Sequence, residues 1–187
     1  MSRRVLVIGP TWVGDMIMSQ VIYSCLRSRD PEMVLDVLAP QSTLSLVQRM
    51  PEVDRGILIK QRHGQLGLGY RFELGKLLAK EKYDQAIVTP NSLKSSLVPL
   101  FAGIPHRTGF LGEYRYFLLN DIKMLDNTRL PLMVDRFLAL VGEKRISMIE
   151  PRLTTDPLNQ ERLLQRFNLK QDRSITCLLY TSDAADE

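Results

Sequence analysis

Residues 5–8, Val-Leu-Val-Ile, constrain the fold most. They are apolar at every position, they stop at Gly9-Pro10, and a helical pattern follows within a few residues, from 15 to 28. An apolar run without alternation marks a strand buried on both faces. Both faces are covered when crossover helices flank a parallel sheet. The same order recurs along the chain. Strands are predicted at 4–8, 34–38, 53–59, 84–89 and 106–110. Helices are predicted at 15–28, 42–50, 72–82, 92–102, 132–141 and 156–168, with Leu74, Leu77 and Leu78 on one face of the 72–82 helix. The segment 61–69, which holds Gly64, Gly67 and Gly69, reads as a loop. The predicted class is α/β: a Rossmann-like, doubly wound parallel sheet with right-handed crossovers. Such sheets take their ligands in the crevice outside the carboxyl ends of the strands. The loops after the strands ending at 8 and 89 are therefore the places to look for chemistry.

Composition narrows the class. At 187 residues, the chain suffices for one well-buried domain and is too short for two large ones. A net charge of +4 permits an anionic substrate or a membrane surface without requiring either, and no nucleic-acid partner is expected. No run of about 18 apolar residues exists to span a bilayer, and the N-terminus has no signal-peptide pattern. A cytoplasmic protein is expected; peripheral contact at the inner membrane is what the family resemblance given below would add. Cys25 and Cys177 have neither metal-ligand spacing nor a disulfide framework, and two histidines, His63 and His106, cannot build a metal site. Cys25, Met16, Met18 and Met33 read as core.

The first loop, Gly9-Pro-Thr-Trp-Val-Gly14, is not G-x-G-x-x-G, and no Lys-Ser/Thr follows it as in a phosphate-binding P-loop. Pro10 and Trp12 are bulky where a phosphate would have to approach the backbone. Gly14 reads as a second sharp bend, and Asp15 follows it. Two readings stand side by side: Asp15 caps the helix, or it is a base for proton chemistry in the crevice. Trp12 is either a wall for a sugar ring or a core plug. The second loop, Pro90-Asn-Ser-Leu-Lys-Ser-Ser96, offers Asn91, Ser92 and Lys94 to hydroxyls or an anion, or else Asn91 or Ser92 merely caps the next helix. Arg62, His63, Lys94, Arg107, Arg115 and Arg136 are scattered cations, each of which could simply be solvated.

Several blocks resemble a known family. The opening 5–20, the Leu38-Ala-Pro40 and Arg49-Met-Pro-Glu-Val53 segments, Pro90–Pro99, and Phe101-Ala-Gly-Ile-Pro-His-Arg-Thr-Gly-Phe110 are similar to the opening half of type II ADP-heptose:lipopolysaccharide heptosyltransferases, in glycosyltransferase family 9. Gly112-Glu113, Arg115-Tyr116, Leu118–Asp121 and Pro131–Val134 match as well, so the resemblance runs from residue 4 to about 142 and fades through 143–176. It implies the N-terminal half of a GT-B fold, in which two Rossmann-like domains face across a cleft. It implies that this half holds the lipopolysaccharide inner-core acceptor (Kdo, heptose and lipid A), while the other binds ADP-L-glycero-D-manno-heptose. It also implies inverting transfer of the second heptose, in the cytoplasm of a Gram-negative bacterium, without a metal or other cofactor. Asp15 matches the family's proposed catalytic base. Trp12, Gly14, Asn91, Ser92, Lys94, Arg107 and Arg115 are the residues expected to bind acceptor. The donor half is missing, so this chain alone is expected to be inactive. The alternatives are a type I heptosyltransferase or another sugar-nucleotide GT-B enzyme, and a non-catalytic binding module.

Residues 1–176 are expected to form the acceptor domain, with a second domain beginning near 173. The last eleven, Cys177-Leu-Leu-Tyr-Thr-Ser-Asp-Ala-Ala-Asp-Glu187, match the translation of a transposon adapter used in sequencing libraries. They are expected to carry no native information.

Overall fold

The apolar runs do become buried central strands. A computed structural model describes residues 2–60, 66–143 and 150–169. It divides into two compact units, Met1–Thr154 and Thr155–Glu187. In the first, β1 (Arg4–Ile8), β2 (Val34–Ala39), β3 (Arg55–Leu58), β4 (Gln85–Val88), β5 (His106–Phe110) and β6 (Asp121–Lys123) form one sheet in the order β3-β2-β1-β4-β5-β6. All neighbours are parallel, and Val5 at the centre lies between Leu35 and Gln85. The chain first extends the sheet one way from β1, then jumps back to β4 and extends it the other way. The strand order therefore switches direction between β1 and β4, where open α/β sheets form their crevice.

The helices of this unit are α1 (Val13–Arg29), α2 (Gln41–Val47), α3 (Leu68–Ala79), α4 (Leu97–Phe101) and α5 (Met133–Leu140), with a 3₁₀ turn at Leu93–Ser96. Strand alternation splits the core in two. Val5 and Val7 point to one face, where Ile22 and Leu26 of α1, Val47 of α2 and Phe137 and Leu138 of α5 cover them. Leu6, Ile8, Ala86 and Val88 point to the other, under Leu78 of α3 and Val98 of α4. Cys25, Met16 and Met33 are buried as expected, with Met18 packed at the edge. At the amino edge of the sheet, buried Asp36 accepts hydrogen bonds from Tyr83 Oη and from Arg55 at 2.8 Å.

Several element predictions need correction. The helix expected at 72–82 begins earlier and turns Arg71, Gly75 and Leu78 inward, leaving Leu77 60% exposed. Its close seat against α4 explains the choice, because a Cβ on Gly75 would lie 2.5 Å from Phe101 Cβ. The helix expected at 92–102 is split into the 3₁₀ turn and α4. β6 was not anticipated. Most of the 61–69 loop, with Arg62 and His63, lies outside the described residues, as do the start of a second domain expected near 173 and the whole of 177–187.

In the second unit, α6 (Pro157–Arg166) has Pro157 in its first turn, and the Asp156 side chain accepts from Asn159 N at 3.1 Å. This is a standard N-cap.

Candidate active site

A cleft of about 300 Å³ opens at the carboxyl edge of the sheet, over the point where the strand order switches. Pro10, Thr11, Trp12 and Asp15 line it from the β1 side, and Thr89, Pro90 and Asn91 from the β4 side. Phe110, Leu125 and, from α5, Met133, Arg136, Phe137 and Leu140 complete it. The walls are largely apolar, and few polar groups converge on the space, which is the usual make-up of a small-molecule site.

Asp15 is not the cap of α1. The helix begins two residues earlier, its N-cap is Trp12, and no side chain caps it. Asp15 stands in the first turn, half-buried, and its carboxylate has no hydrogen bond or ion pair among the described residues. It faces the cleft while staying unpartnered, which leaves both oxygens open to a ligand hydroxyl. Gly14 is likewise not a bend. It lies inside α1, and a Cβ there would meet nothing within 4 Å. Trp12 is 59% exposed at the rim, which removes the core-plug reading.

Arg115 is not at the surface. It is fully buried, and its guanidinium holds the second loop from inside. Nη1 donates to Pro90 O (2.6 Å), Ser92 O (3.1 Å), Ser95 Oγ (3.1 Å) and Ser96 Oγ (3.2 Å). Nη2 donates to Phe110 O (2.6 Å) and Asn91 Oδ1 (3.4 Å), and Nε reaches Phe110 O at 3.1 Å. Burial pulls its pKa down to about 10, against the opposing pull of Glu113, so it stays charged at neutral pH. The backbone aims it inward. Glu113 (φ +44°) and Tyr114 (φ +53°) both sit in the left-handed region, which costs a non-glycine residue about 1–2 kcal/mol. Glu113 then reaches back to accept from Leu93 N at 2.6 Å. This distant carboxylate, rather than Asn91 or Ser92, satisfies the start of the 3₁₀ turn, since Ser92 makes no side-chain cap. Gly112 is required by close approach, because a Cβ there would lie 2.6 Å from Asn91 O.

Arg107 is also committed elsewhere. It lies near the amino end of β5, opposite the cleft, and donates to Leu118 O (2.8 Å) and Ile104 O (2.6 Å). His106 is exposed at the start of the same strand. Lys94 is half-buried in the 3₁₀ turn and has no hydrogen bond or ion pair among the described residues. Of the predicted acceptor residues, Trp12 and Asn91 line the cleft, Gly14 and Ser92 stand beside residues that do, and Lys94 lies in the turn just beyond. Arg115 and Arg107 serve the scaffold. The cation that does line the cleft is Arg136, which the sequence offered only as one scattered charge among six. Among the described residues, no three His, Cys, Asp or Glu side chains gather into a metal-ligand set, and no helix is long and apolar enough to cross a membrane.

The family described as "Glycosyltransferase family 9 (heptosyltransferase)" matches residues 71–183. The chain belongs to glycosyltransferase family 9. Lipopolysaccharide heptosyltransferase 2 of Escherichia coli K12 is 47% identical over 175 residues, covering 93% of this chain and 49% of that protein. Lipooligosaccharide heptosyltransferase 2 of Haemophilus influenzae Rd is 45% identical over 171 residues, covering 88% of this chain and 49% of the relative. The solved structure of E. coli ADP-heptose LPS heptosyltransferase II superposes with a TM-score of 0.79 at 44% identity, covering 91% of this chain and 52% of that one. The Rossmann-like fold, expected as half of a GT-B architecture, is therefore confirmed. The chain spans about half the length of the curated relatives it matches.

Proposed function

We propose that this chain is the acceptor half of an inverting heptosyltransferase, and that the full-length protein moves L-glycero-D-manno-heptose from ADP-heptose to the first heptose of the lipopolysaccharide inner core. The observation that carries the reading is the unpartnered Asp15 carboxylate in the cleft at the switch point, in a chain so similar to heptosyltransferases of type 2.

Chemically, an alcohol is a poor nucleophile until its proton is removed. A carboxylate within about 3 Å of the acceptor hydroxyl takes that proton as the new carbon–oxygen bond forms. The bond from the anomeric carbon to the diphosphate breaks on the opposite face, which inverts the centre, and ADP leaves with the electron pair. The leaving diphosphate is stabilised by donors on the part of the protein that this chain does not include. Asp15 is close to the positive end of α1, which suits a carboxylate. Trp12 offers a flat apolar wall to a sugar ring, Asn91, Ser92 and Lys94 offer hydrogen bonds, and Gly14 leaves the rim open. The reaction so drawn uses no metal, and catalysis is placed at the cytoplasmic side of the inner membrane, where a lipid-borne acceptor is presented. Residues 177–187 are read as adapter-encoded, which sequencing of the source gene past Thr176 tests.

The direct experiment is transfer by the full-length gene product with ADP-heptose and two acceptors, one bearing the first heptose and one ending in Kdo. Transfer to the heptosylated acceptor is expected. Preference for the bare Kdo acceptor would point to the type I reaction instead, and the 187-residue chain alone should turn over neither.

A further inference from the structure

Gln20 is a buried polar side chain that neither the sheet nor the cleft uses. It lies on α1 five residues after Asp15, about 7.5 Å further along the helix axis. Only 2% of it is exposed, and an amide so placed is costly unless its groups are bonded. Nε2 donates to Glu52 Oε2 at 2.8 Å and to the carbonyl of Arg152 at 2.6 Å, and Oε1 accepts from Arg152 N at 3.0 Å. The Glu52 carboxylate, whose other oxygen accepts from Ser24 Oγ at 2.7 Å, can only accept, so it fixes which end of the amide is nitrogen. The side chain therefore offers Arg152 one donor and one acceptor, as a neighbouring strand would. Two residues on, Thr154 N and Oγ1 both donate to Arg49 O, at 2.7 and 3.1 Å, and Arg49 Nη1 donates to Thr154 O at 3.3 Å. Residues 150–154 form no helix or strand and are exposed. Their backbone is still tied at alternate residues, 152 and 154, and the first compact unit ends at Thr154.

We infer that Gln20 is a positioning residue: it clips the strap 150–154 to α1, so that the chain leading on to the donor half is free only after Thr154. The inference rests on the two-part enzyme read above. The helix that presents Asp15 is then also the support from which the donor half departs. Releasing the strap adds five residues of tether, roughly 17 Å of extended reach. Reacting atoms must meet within a fraction of an ångström of the productive geometry, so a departure point fixed to the helix of the base favours the reactive arrangement over the many that a slack tether allows. Gln20 does this through the strap, without touching a reacting atom.

Amide hydrogen exchange of the 187-residue chain tests the clip. In wild type the amides of Arg152 and Thr154 should exchange about tenfold or more slower than those of Leu153 and Thr155, the scale of a single hydrogen bond. Gln20→Met, of similar length but without the amide, should lose the protection at Arg152 and keep the β1 amides of Leu6 and Val7 slow. In the full-length gene product the same variant should lower kcat by about tenfold or more, since small misplacements cost that much, while acceptor KM stays near wild type. Uniform fast exchange through 151–155 in wild type, or protection at Arg152 that survives Gln20→Met, would overturn the inference. So would loss of β1 protection in that variant, which would make Gln20 a residue of the fold and not of the strap. An unchanged kcat once the strap is released would overturn it as well. Asp15→Asn should leave Arg152 and Thr154 protected, so the exchange pattern and the transfer chemistry fail separately.

Discussion

At the scale of single residues, the cleft separates groups that act on a ligand from groups that hold the loops. Arg115 belongs to the second kind. Replacing it with Met would strand buried carbonyls and hydroxyls around an apolar side chain, and a loss of about 3–5 kcal/mol in urea unfolding is expected. A loss below about 1 kcal/mol would show that the loop is held by something else. Gly14→Ala should do the opposite. Its Cβ meets nothing, and alanine is preferred to glycine inside a helix, so thermal unfolding should show about 0.5–1 kcal/mol more stability. A raised acceptor KM in the full-length enzyme would then mark the open rim as ligand space. The sequence disclosed Asp15 because a carboxylate opening the first helix after a strand is informative by position alone. It could not disclose the fate of Arg115, which depends on two consecutive left-handed residues that are not glycines. Nor could it single out Arg136, which reaches the cleft only because α5 packs against α1 and β5.

At the scale of elements, long periodic segments were legible and short ones were not. β1 and β5 fall residue for residue where they are expected, at 4–8 and 106–110, although only β1 has an apolar run. β6 has three residues, Asp-Ile-Lys, of which one is apolar, so only pairing with β5 makes it a strand. The segment after β4 reads as one helix in sequence. Pro99, however, cannot donate to the carbonyl of Ser95, and Ser95 Oγ satisfies Ser92 O and Pro90 O instead, so the segment begins as a 3₁₀ turn. The tight seat of α3 on α4 gives a prediction at this scale. Gly75→Ala forces backbone apart at Phe101 and should cost about 1–3 kcal/mol in chemical unfolding, whereas a neutral effect would mean the helices can separate freely.

At the scale of the molecule, the class of fold was legible from alternating strands and helices, but the order of strands was not, because pairing is set by packing between distant segments. That order matters, since it puts the crevice between β1 and β4. The two sheet faces also carry an alkaline limit. Burial raises the phenol of Tyr23, and burial together with its hydrogen bond to Asp36 raises that of Tyr83. A phenol raised in the folded state stabilises fully below the unfolded value near pH 10, and that contribution is lost as pH rises beyond it. The melting temperature should therefore fall above about pH 10, less steeply in a Tyr23→Phe, Tyr83→Phe double variant. An identical slope would remove both tyrosines from the explanation. The claim on which the whole account stands is proton removal by Asp15, and the decisive measurement is kcat of the full-length enzyme carrying Asp15→Asn. The account predicts a fall of about 10²-fold or more with a melting temperature near wild type; an unchanged kcat would contradict it.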